Sequence, residues 1–116
     1  MIIATRTLGV TLKSGSRGEV SLRLYLPVQS GEDWDCRYEI DWPSDGWPAR
    51  TVNGHAVGTD ALQALQLAIQ KLGVELHMTS YHRDGKMQWG DWKGYGIALP
   101  RDGRDLMRGD DAEFFG

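Results

Sequence analysis

Apolar and polar residues alternate along most of the first 57 positions, then switch near residue 59 to a repeat of three to four. Ile2 to Leu12 reads as a strand, with Leu8, Val10 and Leu12 set against Thr7, Gly9 and Thr11. Lys13 to Gly18 is turn chemistry, and Glu19 to Pro27 alternates again, placing Val20, Leu22, Leu24 and Leu26 on one face. Trp34, Cys36, Tyr38, Ile40 and Trp42 face one way, and Asp35, Arg37, Glu39 and Asp41 the other. A sheet buried on one side and solvated on the other produces this pattern. Ala49 to Val57 is a weaker fourth strand, interrupted by Gly54.

From Thr59 to Gly73 the period changes. Ala61, Leu62, Ala64, Leu65, Ala68, Ile69 and Leu72 fall within one arc of roughly 160° when wound as a helix. Gln63, Gln66, Gln70 and Lys71 lie opposite, with Leu67 among them and therefore exposed. Asp60 and Gln63 have the spacing of a capping box. Leu76 continues the stripe, so the helix is expected to pass through Gly73 and end near Thr79. Tyr81 to Lys86 is a turn, and Met87 to Leu99, closed by Pro100, reads as a short hairpin or as an irregular apolar segment packed on the sheet edge or helix flank. Strands followed by a helix predict an α+β fold: an antiparallel sheet of about four strands, one main helix across one face, and a short C-terminal hairpin. Residues 1–100 form the expected domain and 101–116 a charged tail.

Composition narrows the function classes. A chain of 116 residues, 41% hydrophobic and 25% charged, suits one soluble domain. A net charge of −3 argues against general nucleic-acid binding, which favours a basic stripe. The single Cys36 gives no internal disulfide, so a reducing cytoplasm is expected. Met1 to Arg6 does not have the pattern of a signal peptide, and no apolar run reaches membrane-spanning length.

No constellation of reactive groups stands out. His77 and His82 are five apart, which on a continuous helix turns them about 140° away from each other. They read as a surface pair, and neither a metal nor another cofactor is expected. No nucleophile elbow or phosphate-cradling loop is present, and Cys36 falls on the apolar face of its strand. No catalytic residue is assigned, and the balance leans away from an enzyme.

Two features invite a binding role. Residues 31–60 carry seven acids against Arg37 and Arg50, whereas residues 1–30 carry four cations against Glu19. Asp35, Glu39 and Asp41 would share a sheet face, either paired with cations such as Arg23 or presented to a basic partner. Five tryptophans are many for this length, and Trp47, Trp89 and Trp92 do not fit one buried strand face.

Gly58 to Ala68, with Ile40-Asp41-Trp42-Pro43 before it and Gly85-Lys86-Met87-Gln88-Trp89 after it, resembles a family of small bacterial proteins known as a domain of unknown function. The resemblance implies a bacterial or phage origin and a strand-rich sheet with one helix. It transfers no catalytic residue, and the tail beyond Pro100 lies outside it.

The leading expectation is a non-catalytic macromolecule-binding protein, an immunity-type or defence-related inhibitor. It would meet a protein with a basic surface through Asp35, Glu39, Asp41, Trp47, Leu67, Phe114 and Phe115. The second is a small-molecule binder or small enzyme with a cleft near the helix C-terminus and the Trp89–Tyr95 segment, using His77, Tyr81, His82, Trp89 and Trp92. A third is a homodimer formed through Leu67 and an open sheet edge.

Overall fold

A computed structural model describes residues 1–44 and 50–116, so Trp47 lies outside the described residues. Six strands are described: β1 (Ile2–Thr11), β2 (Arg17–Tyr25), β3 (Val28–Ser30), β4 (Asp33–Asp41), β5 (Thr51–Gly58) and β6 (Met87–Gln88). The helices are α1 (Ala61–His77), α2 (Ser80–Arg83) and α3 (Gly109–Phe115), with a 3₁₀ turn at Arg101–Leu106. All described strand pairings are antiparallel. Across the sheet the order is β5, β4, β2, β1, β6, and short β3 takes the part of β4 that β2 leaves free. The fold is α+β, as expected, with more strands than the pattern suggested.

Alternation accounts for the sheet. Leu8, Val10, Val20, Leu22, Leu24, Cys36, Tyr38, Ile40 and Trp42 are all buried beneath α1 and the C-terminal segment. On the solvated face, Arg23 Nε lies 3.2 Å from Glu39 and its Nη1 2.7 Å from Asp41.

The capping box forms at the start of α1: Asp60 accepts the Gln63 N–H, and Gln63 Oε1 accepts the Thr59 N–H at 2.7 Å. The helix runs through Gly73, where an added Cβ would lie 2.9 Å from Ile97 and 3.3 Å from Leu99. Glycine is required there by the close approach of the C-terminal segment. The buried stripe is Ala64, Ala68, Leu72, Gly73, Leu76 and His77. Leu62, expected inside, is 71% exposed, and Ile69 is also exposed. Buried Ala64 and Ala68 let α1 lie close to β4 and β5, with Leu65 packed at the side of the core and Leu62 beyond its reach.

The expected C-terminal hairpin does not form. Met87 and Gln88 pair instead with Val10 and Gly9 of β1. Trp89 and Trp92 only bridge a tight turn, in which Gly90 takes a positive φ of 54°. Residues 101–116 fold back onto the domain, burying Met107 and Asp111. Among the described residues, no helix is long and apolar enough to cross a membrane.

Candidate functional site: a histidine cavity at the end of the long helix

A break in the helical path brings the two histidines together. After His77 the chain leaves the helix at Met78, and Thr79 starts α2. The Thr79 hydroxyl donates to the Leu76 carbonyl at 2.9 Å and accepts the His82 N–H at 3.3 Å. This re-aims the chain, so the His77 and His82 rings stand 4.4 Å apart, each in edge contact with Tyr95. Both are buried, which corrects the expectation of a surface pair on a continuous helix.

Hydrogen bonding fixes the proton positions on both rings. His77 Nδ1 lies 2.7 Å from the Gly73 carbonyl, so it carries the proton and Nε2 carries the lone pair. His82 Nε2 donates to the Leu106 carbonyl at 2.7 Å, and its Nδ1 accepts the Tyr95 hydroxyl at 2.6 Å. His77 Nε2 is buried and has no partner among the described residues, on a side chain only 5% exposed. An acceptor in that condition costs about 1–3 kcal/mol relative to a satisfied one.

His77 and His82 line a cavity of about 380 Å³ with Thr79, Arg83, Asp105 and Arg108. Arg108 Nη1 donates to the Arg83 carbonyl at 3.4 Å, tying the two sides of the rim together. Part of this wall belongs to the segment after Pro100, whose seat is Asp111. That carboxylate, 1% exposed, accepts from Trp92 Nε1 at 2.6 Å, Tyr95 N at 2.6 Å and Gly96 N at 2.9 Å. Its charge, together with burial, raises the Tyr95 phenol above its ordinary range, burial being the larger cause. Tyr95 therefore remains a donor to His82.

Burial pushes both imidazoles below their usual pKa. Unfolded histidines bind protons near pH 6.5 that the folded ones refuse. The stability due to their neutral forms is thus complete above about pH 6.5 and is lost as pH falls below it. Urea melts between neutral pH and pH 5 are expected to show midpoints falling with acidity, before most carboxylates titrate. A midpoint that holds or rises over that interval contradicts the buried neutral pair.

The other candidate residues lie elsewhere. Tyr81 turns away from the cavity and stacks on Trp42 at 5.9 Å. Trp89 lies under the Arg6 guanidinium, 3.6 Å from its ring centre, and Trp92 is taken by Asp111. Asp35 meets His55 at 2.8 Å, Tyr25 and Arg23 hold Glu39, and Arg23 and Thr51 hold Asp41. The Tyr25 hydrogen bond, followed by Arg23, lowers the Glu39 pKa, and the Arg23 hydrogen bond lowers that of Asp41. Leu67 is 37% exposed on α1 beside β5. Phe114 is 73% exposed and packs edge-on against Trp92 and Phe115. Phe115 borders a separate apolar cavity of about 330 Å³ with Ala4, Ile69, Leu72 and Ile97. Among the described residues no three His, Cys, Asp or Glu side chains are grouped as metal ligands.

The sequence points to the Trp89–Tyr95 segment beside the cleft without singling out Tyr95, and gives no sign of Arg83, Asp105, Leu106, Arg108 or Asp111. Only Tyr95 carried a signal, its flanking glycines: Gly94 and Gly96 adopt positive φ of 147° and 69°, which present the two backbone donors to Asp111.

Neither a curated protein nor a solved structure matches the chain. One family model does, described as Domain of unknown function (DUF6968), and it matches residues 4–100. That span holds the sheet, α1, both histidines and Tyr95, and leaves out the segment supplying Asp105, Leu106, Arg108 and Asp111. This chain belongs to the DUF6968 family.

Proposed function

We propose that this protein binds a small anion that also carries a hydrogen-bond donor, in the cavity between the end of α1, α2 and the 3₁₀ turn. The observation that carries this reading is His77 Nε2, a buried lone pair without a partner among the described residues. A ligand O–H or N–H in the cavity would satisfy it once a small movement of the His77 ring opens Nε2 to that space. Arg83 and Arg108 on the same wall supply donor-only cations suited to phosphate or carboxylate oxygens. Asp105, also on that wall, disfavours a second negative charge. Dihydrogen phosphate, with two O–H groups, and a phosphate monoester monoanion, with one, combine a single negative charge, acceptor oxygens and an O–H donor. The role proposed is binding, and the Thr79 hydroxyl on the same cavity wall is already engaged by the Leu76 carbonyl and the His82 N–H.

The alternative, an inhibitor meeting a basic protein through Asp35, Glu39 and Asp41, draws less support. Arg23, Tyr25, Thr51 and His55 already hold those carboxylates. A reducing cytoplasm suits the free, buried Cys36 thiol.

Titration of inorganic phosphate into the full chain, followed through the His77 imidazole resonances, is expected to saturate. Sulfate, which has no O–H at neutral pH, is expected to bind at least about tenfold more weakly. Arg108→Ala should weaken phosphate binding without altering the fold. Equal, non-saturating drift with both anions, or undiminished phosphate binding by His77→Phe, overturns the reading.

A further inference from the structure

The two margins of the sheet are built differently. On the β1 side, β6 covers one half, and the other half has a bulge between Ile2 and Ala4 and the charged Arg6. Bulges and charges are devices that blunt an edge against pairing with another chain. The β5 margin has no bulge and no acidic or basic side chain other than His55 in its strand, and Lys71 reaches it from α1. Thr51–Gly58 runs in unbroken register with β4, contains no proline, lysine or arginine, and has no strand on its outer side among the described residues.

Its outward groups follow from the ladder. Trp42 N–H donates to the Arg50 carbonyl, which makes that pair hydrogen-bonded. Val52, Gly54, Ala56 and Gly58 therefore turn their backbone groups toward β4, and Thr51, Asn53, His55 and Val57 turn theirs outward. Lys71 Nζ, 2.7 Å from the His55 carbonyl, confirms the assignment. The outward set is self-complementary. An antiparallel copy related by a two-fold axis at Gly54 pairs residue 51 with 57 and residue 53 with 55, each twice.

A second observation points to the same occupant. Above this edge, Leu67, Val74, Tyr38, Ala56 and Pro100 line a mostly apolar cavity of about 400 Å³ together with Lys71 and Glu75. Glu75 Oε2 is buried there without a hydrogen-bond partner among the described residues. α1 runs antiparallel to β5: Gly58 meets its first turn, Lys71 meets His55, and Glu75 meets Tyr38, which is paired with Gly54. The same two-fold axis therefore brings Lys71 of one copy to the Glu75 carboxylate of the other. Asn53 of the second copy then replaces Lys71 on the His55 carbonyl.

We propose that β5 is a homodimer interface, in which two copies join edge to edge into one continuous sheet and exchange Lys71–Glu75 ion pairs across the axis. Sedimentation equilibrium of the full chain tests this. A reversible dimer is expected at micromolar concentration. Asn53→Pro removes an outward N–H that β4 does not use, and Val57→Lys places a charge on the edge without touching the core. Each should raise the dimer dissociation constant at least about tenfold. Lys71→Glu should do the same, and adding Glu75→Lys should restore association. Circular dichroism verifies folding, and Val57→Lys decides the matter should the proline variant unfold. A parent chain that is monomeric at millimolar concentration overturns the proposal, as does a dimer indifferent to both edge substitutions.

Discussion

Asp111→Ala is expected to lower the unfolding free energy by roughly 4 kcal/mol, because three donors lose a buried charged acceptor at once. Trp92 Nε1, Tyr95 N and Gly96 N all converge on this carboxylate, the Tyr95 bond fully buried and the other two part-buried. Loss should begin locally. With Asp111 gone, α3 and the 3₁₀ turn keep only buried Met107 and the hydrogen bonds of Leu106, Asp110, Arg104 and Arg108 to hold them. Limited proteolysis should then cut after Pro100 well before the sheet opens, and urea melts should show the full drop. Asp111→Asn keeps one carbonyl oxygen but turns an amide N–H₂ toward backbone donors, so an intermediate loss is expected. A variant as stable and as protease-resistant as the parent would mean that the carboxylate is not the seat of the segment.

Gly58→Val comes next in size. A Cβ at Gly58 would run into the backbone nitrogen of Ala64, with Ala64 Cα and the Gln63 carbonyl carbon each 2.9 Å away. These are backbone atoms of the first turn of α1, so no rotamer change relieves the clash. The helix must lift off β5, opening the packing at Ala64 and Ala68. About 3 kcal/mol of destabilisation is expected, at the upper end for overpacking. A cavity-filling gain is ruled out by the absence of space, and a thermal midpoint equal to the parent's would contradict the close strand–helix junction. Gly54 offers a milder comparison, because its added Cβ meets the side-chain ring of Tyr38 rather than backbone.

The sheet was legible because each strand is buried on one face only, and such burial writes itself as alternation. Cys36, Tyr38, Ile40 and Trp42 are the clearest case, all buried as their period implies. The helix was legible for the same reason, including its passage through Gly73. Leu62 was misread because helical periodicity identifies an apolar arc but not how far the neighbouring sheet extends beneath it. The segment from Trp89 to Leu99 was misread because no local preference shapes it. Its path depends on a carboxylate more than a dozen residues downstream, in a run of acids that looks like a solvated tail. The histidine cavity was hidden by a similar effect. Five residues separate His77 from His82, and only the break at Met78, with Thr79 capping the next turn, converts diverging directions into ring contact.

The seat of Asp111 also divides the molecule in a way that the fold alone does not suggest. The family's shared span, residues 4–100, contributes the histidines, whereas Asp105, Leu106 and Arg108 come from the addition that follows it. Under the proposed reading the residues that would meet a ligand are divided between the two, with His77, His82 and Arg83 inside the matched span and Asp105 and Arg108 beyond it. Replacing residues 101–116 with another segment that keeps an aspartate at the position of Asp111 would retain the lone pair of His77 while changing the charges that greet a ligand. An acceptor in the domain thus faces a wall supplied by the following segment, which Asp111, Asp110 and the Leu106 carbonyl fasten to it.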